Sequence, residues 1–481
     1  MSSHVIRLVS TATLITLAAA CERRTPEQQF VHDVAEALGG ASRVEAVGQL
    51  TIEGTGRQYN LGQDMRPGLA GQTFTVSALS RTIDLTRPRQ RTTLTRTPAF
   101  AYFQGPQAQT QVQGVDDIAY NVAPNGTATR ASAAAAADRR VERLHHPLVL
   151  VRAALSGATV SPVRTEGAER MVDVTTAGAV ATLVVDAGGK PVRTQSVATH
   201  PNLGDVVMTT SFADFADAGG LQLPTRLTTK VDDFTTGEYT VTNRTSGTGT
   251  IEAPAELATA ALPVAPVVNV TADEVAPGVW FLAGQSHHNV VVAFKDRLVM
   301  IEAPQSEARS LGAIAKARTL RPGTPLTHLV MSHHHFDHST GLRAAIAEGL
   351  TIVTHEGNEA FVKEIAARPF TIAPDALAKA PKPVAVEAVA DTRTITDGAR
   401  SLVLYHVAAN PHSDTMLMAY LPRERLLIEV DAFSPGGSYH PYAANLLGNI
   451  ERLKLSVDRV VPLHGAVTPM ADLVAAAKAA S

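Results

Sequence analysis

The segment Leu326 to His338 constrains this chain more than any other. Leu326-Thr327-His328-Leu329-Val330-Met331 reads as an apolar strand. It runs into Ser332-His333-His334-His335-Phe336-Asp337-His338, where five ligand-type side chains occupy seven positions, and a helix is expected from about Ser339-Thr340-Gly341. His333 and His335, two apart on an extended turn, point the same way and can share one ion. Asp337 and His338 fall on the following bend and can face a second. A chance histidine tract would not add an aspartate and a fourth histidine at this spacing. The wider distribution agrees: of 17 histidines, five lie before residue 267 and twelve after it.

Composition removes several classes. At 481 residues the chain has material for two or three domains. A formal net charge of −3 carries no general footprint for nucleic acid, so no nucleic-acid partner is expected. The single cysteine, Cys21, excludes internal disulfides and any Cys-rich zinc module. No apolar run approaches the roughly 18 residues of a membrane-spanning helix.

Residues 22–250 read as β-rich. Leu50-Thr51-Ile52-Glu53, Thr82-Ile83-Asp84-Leu85 and Ala181-Thr182-Leu183-Val184 alternate in the manner of half-buried strands. Helices are expected from Gln28 to Leu38, ending at Gly39-Gly40, and over the Ala-rich stretch Ser132 to Leu155 with a break near Pro147. An antiparallel sheet with helices across its concave face would bury these pieces. Residues 251–271, with Pro254, Pro263 and Pro266 among Ala and Val, read as an extended linker. Short strands and helices then resume over 272–481.

The order His333-x-His335-x-Asp337-His338 resembles the signature of the metallo-β-lactamase fold superfamily. More distant positions match in order: His412 before the strand Met416 to Leu421, Asp431 at the end of Leu426 to Val430, and His464 before Gly465. The resemblance implies an αβ/βα sandwich with two zinc ions. His333, His335 and His412 would hold one ion, Asp337, His338 and His464 the other, and Asp431 would bridge. With only nitrogen and oxygen donors, Mn, Fe and Co remain open as well. A pair of such ions shares a hydroxide near neutral pH, and Asp337 would orient it as the catalytic carboxylate. His288, His440 and Tyr442 are candidates for touching a small-molecule substrate. His334 is expected to pack rather than ligate, and His328 and His406 to be satisfied inside strands. Glu302 stands where the family usually carries Asp, a departure expected to adjust metal affinity.

Two further resemblances concern the N-terminal part. Residues 1–21, with an apolar run from Leu8 to Ala20 before Cys21, resemble a bacterial lipoprotein signal. That implies an envelope protein on the periplasmic side, lipid-anchored at Cys21; plain cleavage after Ala20 is the alternative. The order of Gly39-Gly40, strands and Gly219-Gly220-Leu221 resembles the half-barrel of lipoprotein carriers, implying an α+β N-terminal fold that is a scaffold or a site for a greasy ligand. The expected function is a zinc hydrolase of an ester, thioester, lactone or amide. Competing readings are a β-lactamase, a phosphodiesterase, and a lipid-anchored carrier with an accessory metal domain. The superfamily's β-lactamases commonly carry Cys or Ser where this chain has Asp431.

Overall fold

The first helix, Pro26–Ala37, begins where its sequence dictates. The Thr25 hydroxyl accepts from the Gln28 N–H and the Gln28 side chain accepts from the Thr25 N–H, a reciprocal cap, and Pro26 presets the first turn. It ends at Leu38, where Gly39 takes φ +116° and a Cβ would lie 2.4 Å from the Gly220 carbonyl. The computed structural model describes residues 24–100, 108–115, 118–248, 251–264, 268–437 and 440–479. Residues 1–21, read from the sequence as a signal, and Cys21 among them, lie outside the described residues.

The described residues are β-rich and form three sheets. Fourteen described strands, from Gln49–Tyr59 to Phe234–Ser246, form one antiparallel sheet in which the first strand pairs with the last. Alternation decides its faces: Leu50 and Ile52 are buried, as are Ala179, Ala181 and Leu183. They meet Val34 and Leu38 of the first helix, Val44 of the short helix Ala41–Ala46, and Leu148 and Leu150 of Pro147–Leu155. The Ala-rich stretch is two helices, Ala133–Arg143 and Pro147–Leu155, separated where proline requires it. Between the sheet and these helices lies a cavity of about 670 Å³, walled by Ile52, Leu79, Leu94, Met208 and Leu227, with Arg81 among its polar groups.

The Pro/Ala stretch is less free than an extended linker. Ala255–Ala258 form a 3₁₀ turn with Leu257 buried. Arg89 donates to the Ile251 carbonyl at 3.1 Å and Arg130 to the Ala260 carbonyl at 2.8 Å, so its first half is bound to the sheet. Positions 265–267 lie outside the described residues.

From residue 273 a seven-stranded and a six-stranded sheet pack face to face. In the first, Val290, Val292, Val299 and Ile301 face Leu402, Leu404, Leu417 and Ile428 of the second. The alternate residues Val291, Leu298 and Met300 turn outward onto helices Glu307–Leu320 and Leu342–Ala347. Burial on both faces explains why these strands are continuous apolar runs. The second sheet buries Met418, Leu427 and Val460 against helices Ala443–Arg452 and Met470–Ala479. The layers are helix, sheet, sheet, helix.

Strand direction then gathers the chemistry. Leu298–Ile301 and Leu326–Val330 are parallel, so Glu302 and the 332–338 turn leave at the same edge. Asn289–Ala293 is antiparallel to Leu298–Ile301, so His287 enters there too. In the second sheet Leu426–Glu429 and Arg459–Pro462 are parallel, which sets Asp431 beside His464. Leu417–Leu421 runs antiparallel to Leu426–Glu429, which brings His412 to that edge.

The large sheet packs against this assembly. Leu203, Val206 and Val231 join the outer core around Leu342 and Val362, and burial of such a side chain stabilises by about 1.5–3 kcal/mol. Asp205 accepts from the Thr371 and Ile372 N–H groups at 2.8 and 3.1 Å, Arg368 pairs with Asp232, and Asn202 donates to the Ser339 hydroxyl at 3.1 Å.

Candidate metal centre

The strand Leu326–Val330 delivers its turn in a fixed orientation. The Ser332 N–H donates to Glu302 Oε1 at 2.8 Å, and the Ser332 hydroxyl contacts His333 Nδ1 at 2.8 Å. His333 Nε2 therefore faces inward, buried and without a hydrogen-bond partner among the described residues. It lies 3.4 Å from Asp431 Oδ2. His335 Nδ1 is 2.9 Å from His412 Nε2, and that His412 nitrogen is 2.8 Å from Asp431 Oδ2. The ligand atoms of His333, His335, His412 and Asp431 all lie within 4.8 Å of one another.

A second group stands alongside. His338 Nδ1 is 3.0 Å from Glu302 Oε2, which turns Nε2 inward to 3.2 Å from His464 Nε2 and 3.1 Å from Asp431 Oδ1. His464 Nε2 is 2.7 Å from the same Asp431 oxygen, and Asp337 Oδ2 is 3.5 Å from His338 Nε2. Asp337, His338 and His464 form this group together with His287. The two oxygens of Asp431 divide between the groups.

These residues fit divalent cations. Pairs of ring nitrogens face each other at 2.9 and 3.2 Å, and His333 Nε2 faces the same space with no donor to meet it. Converging imidazole lone pairs beside carboxylates are what a cation satisfies and a hydrogen-bond network does not.

The electrostatics follow from burial and neighbours. Burial pulls the His333 imidazole down to about 4, so its nitrogen stays neutral and able to ligate. His335 is held well below its ordinary value by burial and by the nearby His412 and His333 rings. Burial opposes charge on His338, yet Asp431, Asp337 and Glu302 outweigh it and raise its pKa well above the usual histidine value. Burial likewise disfavours charge on Asp431, but His338 and His464 hold it well below the carboxylate range. Asp337 is lowered too, where His338 and the His287 contact overcome desolvation.

Arg309 and Glu429 support the site without any sequence signal. Arg309, wholly buried, donates to the carbonyls of Gly284 at 3.2 Å and His287 at 3.3 Å and so fixes the loop that presents His287. Glu429, whose pKa burial pushes well up, accepts from the Ala432 and Phe433 N–H groups at 3.0 Å each and braces the turn around Asp431. Glu302 holds φ +75°, a strained backbone costing of order 1–3 kcal/mol, with its carbonyl accepting from Asn289 at 2.6 Å. Its carboxylate serves Ser332 and His338 at once.

Of the three substrate candidates, Tyr442 lines the cleft with its ring 5.2 Å from His412. His288 turns away, its ring 4.7 Å from Phe281, and its neighbour His287 takes the place facing Asp337 at 3.4 Å. His440 rests against Phe433 at 5.2 Å and is not among the residues lining the cleft. His334 packs edge-on to Phe361, and His406 Nε2 is bonded to the Asp414 carbonyl at 2.8 Å. His328 contacts the Thr327 hydroxyl at 2.6 Å.

No protein-family model matches the chain, and no curated protein matches it. Solved structures do. The DIM-1 metallo-β-lactamase is similar at 15% identity and TM-score 0.35, over 44% of this chain and 96% of that one. A metallo-β-lactamase from Pontibacter korlensis is similar at 17% identity and TM-score 0.36, over 44% and 99%. FIM-1 from Pseudomonas aeruginosa, in its mono-zinc form, is similar at 14% identity and TM-score 0.36, over 44% and 95%.

Proposed function

We propose that the chain is a zinc-dependent hydrolase that binds two ions and cleaves an ester, thioester, lactone or amide bond in a small molecule. The observation that carries this reading is the division of Asp431 between two histidine groups, Oδ2 toward His412 and Oδ1 toward His464. His333, His335 and His412 would hold one ion, Asp337, His338 and His464 the other, and Asp431 both. Bound there, the ions would supply Lewis acidity and a water acidic enough to react near neutral pH. The protein's own groups do the rest. Asp337, half-exposed and kept ionised, faces the cleft and can orient a water and take its proton. Tyr442 and Ser434 wall a cleft of about 220 Å³, a size suited to a small substrate.

The bond is expected not to be a β-lactam. A buried carboxylate between the two groups adds negative charge where an anionic nitrogen leaving group would have to be stabilised. An alkoxide or thiolate that leaves with a proton, or is itself a stable anion, makes less demand. The comparison is kcat/KM for nitrocefin-type lactams against simple thioesters and lactones at equal zinc loading. Thioesters or lactones are expected to lead; lactams ahead by tenfold, about 1.4 kcal/mol of transition-state preference, would overturn this assignment.

Anchoring in the envelope through a lipid on Cys21 remains part of the proposal. Cys21→Ser is expected to move the protein from membranes to the soluble periplasmic fraction or to leave the signal uncut; unchanged fractionation would exclude the anchor.

A second reading has one observation in its favour. The cavity under the large sheet is mostly apolar, with the Arg81–Glu142 ion pair at its wall, and suits an amphiphilic ligand. If the carrier role dominates, Leu79→Arg will abolish uptake of an apolar fluorescent probe while hydrolysis persists. An unchanged probe signal in that variant removes the carrier reading.

A further inference from the structure

The cleft is not built from the C-terminal sheets alone. Residues 60–72, which connect Gln49–Tyr59 to Thr73–Asp84 in the large sheet, cross the metal centre as a strap. Their contacts span more than 270 residues of sequence. The Gln63 side-chain amide donates to Asp337 Oδ1 at 2.7 Å. The Asp64 carbonyl stands 2.9 Å from His335 Nε2. The Phe336 N–H, between those two ligand-type residues, donates to the Gly62 carbonyl at 3.1 Å. On the far side the Asp414 N–H donates to the Met65 carbonyl at 2.9 Å, and Arg66 pairs with the Asp414 carboxylate at 2.6 Å, two residues beyond His412. Asn60, Gln63 and Gln72 form a polar amide wall of the cleft.

Resting on the metal-centre reading above, we propose that this strap is a working part of the centre and that Gln63 is a positioning residue for Asp337. The chemistry at each contact is specific. His335 faces His412 through Nδ1, so if Nδ1 is to ligate, the ring proton must sit on Nε2. A backbone carbonyl can only accept, so Asp64 selects that tautomer. An ionised Asp337 has no proton to give, which requires the NH₂ of Gln63 to face it. That bond occupies Oδ1 and leaves Oδ2 directed toward His338 and His287 at 3.5 and 3.4 Å. The large sheet thereby fixes one ligand in each group.

The Asp64 carbonyl is beyond the reach of side-chain substitution, so Gln63 gives the cleaner test. The full-length protein and Gln63→Ala are titrated with Zn²⁺ and with Co²⁺ against a competing chelator, and the visible absorption of the Co²⁺ forms is recorded. Removal of a residue that orients a metal ligand typically costs 10–100-fold in affinity. In Gln63→Ala the affinity of one of the two sites is expected to fall about tenfold and its Co²⁺ bands to shift. The metal-free melting temperature should stay the same, because Gln63 is a half-buried loop residue outside the cores. Two metal sites matching the wild type within twofold, with superimposable Co²⁺ spectra, would overturn the positioning role and leave the hydrolase reading standing. Wild-type protein that takes up no metal would overturn both.

Discussion

Asp431→Ala is expected to abolish hydrolysis, lowering kcat/KM by about a thousandfold or more, and to leave the protein with less than one firmly bound metal per chain. Asp431 turns one oxygen toward each group, Oδ2 to His412 and Oδ1 to His464, and in the metal-free protein its carboxylate is the counter-charge to His338. Removing one partner from a buried pair leaves the other uncompensated, at a cost of roughly 3–5 kcal/mol. Asp431→Asn keeps the shape and one oxygen but loses the charge, so it separates the two contributions. It should retain more stability than the alanine variant and still lose the second ion. Metal content by elemental analysis and unfolding by urea read the two effects independently. An alanine variant holding two ions with wild-type activity would show that Asp431 does not link the groups.

Gly62→Val should produce the next largest effect, although the residue lies 274 positions before Phe336. Gly62 sits at φ +74°, and a Cβ there would come 2.3 Å from the Phe336 ring. A β-branched residue in left-handed backbone adds about 1–2 kcal/mol of strain to that collision. The strap must lift, taking with it the Gln63 bond to Asp337 and the Asp64 bond to His335. The expected result is a stability loss of about 2 kcal/mol or more in the metal-free protein, together with weaker binding at both metal sites. Wild-type melting and wild-type metal affinity in Gly62→Val would mean that the strap is decoration on a self-sufficient centre.

What the sequence disclosed, and what it concealed, follow from how each contact is made. The 332–338 turn was readable because five ligand-type residues crowd behind an apolar strand. His412, Asp431 and His464 each stand beside a strand end: Asp431 and His464 follow two parallel strands, and His412 precedes a strand antiparallel to the first of them, so all three meet at one edge. Alternation foretold the buried face of the large sheet at Leu50 and Ile52, and Pro147 marked the break between two helices. The choice between His287 and His288 was not readable, since both precede the strand at Asn289 and only the fixed loop conformation, secured by Arg309, decides which ring turns inward. The strap was hidden more completely. It acts through main-chain carbonyls, one amide and one arginine, which leave neither periodicity nor motif, and its partners lie beside another sheet. The short helix Ala41–Ala46 escaped for a different reason: six residues are too few for a periodic signal. The Pro/Ala stretch looked free because its ties run from Arg89 and Arg130 to its carbonyls, and carbonyls are the same in every sequence.

Whether the His/Asp cluster holds two ions is decided by counting metal in the full-length protein purified after growth with added zinc. Two zinc ions per chain are predicted, falling to one or fewer in His335→Ala while the fold of the large sheet, followed by circular dichroism, is retained. A properly folded wild-type protein that carries no zinc and takes up none of Zn²⁺, Mn²⁺, Fe²⁺ or Co²⁺ on dialysis would show that the cluster is not a metal centre.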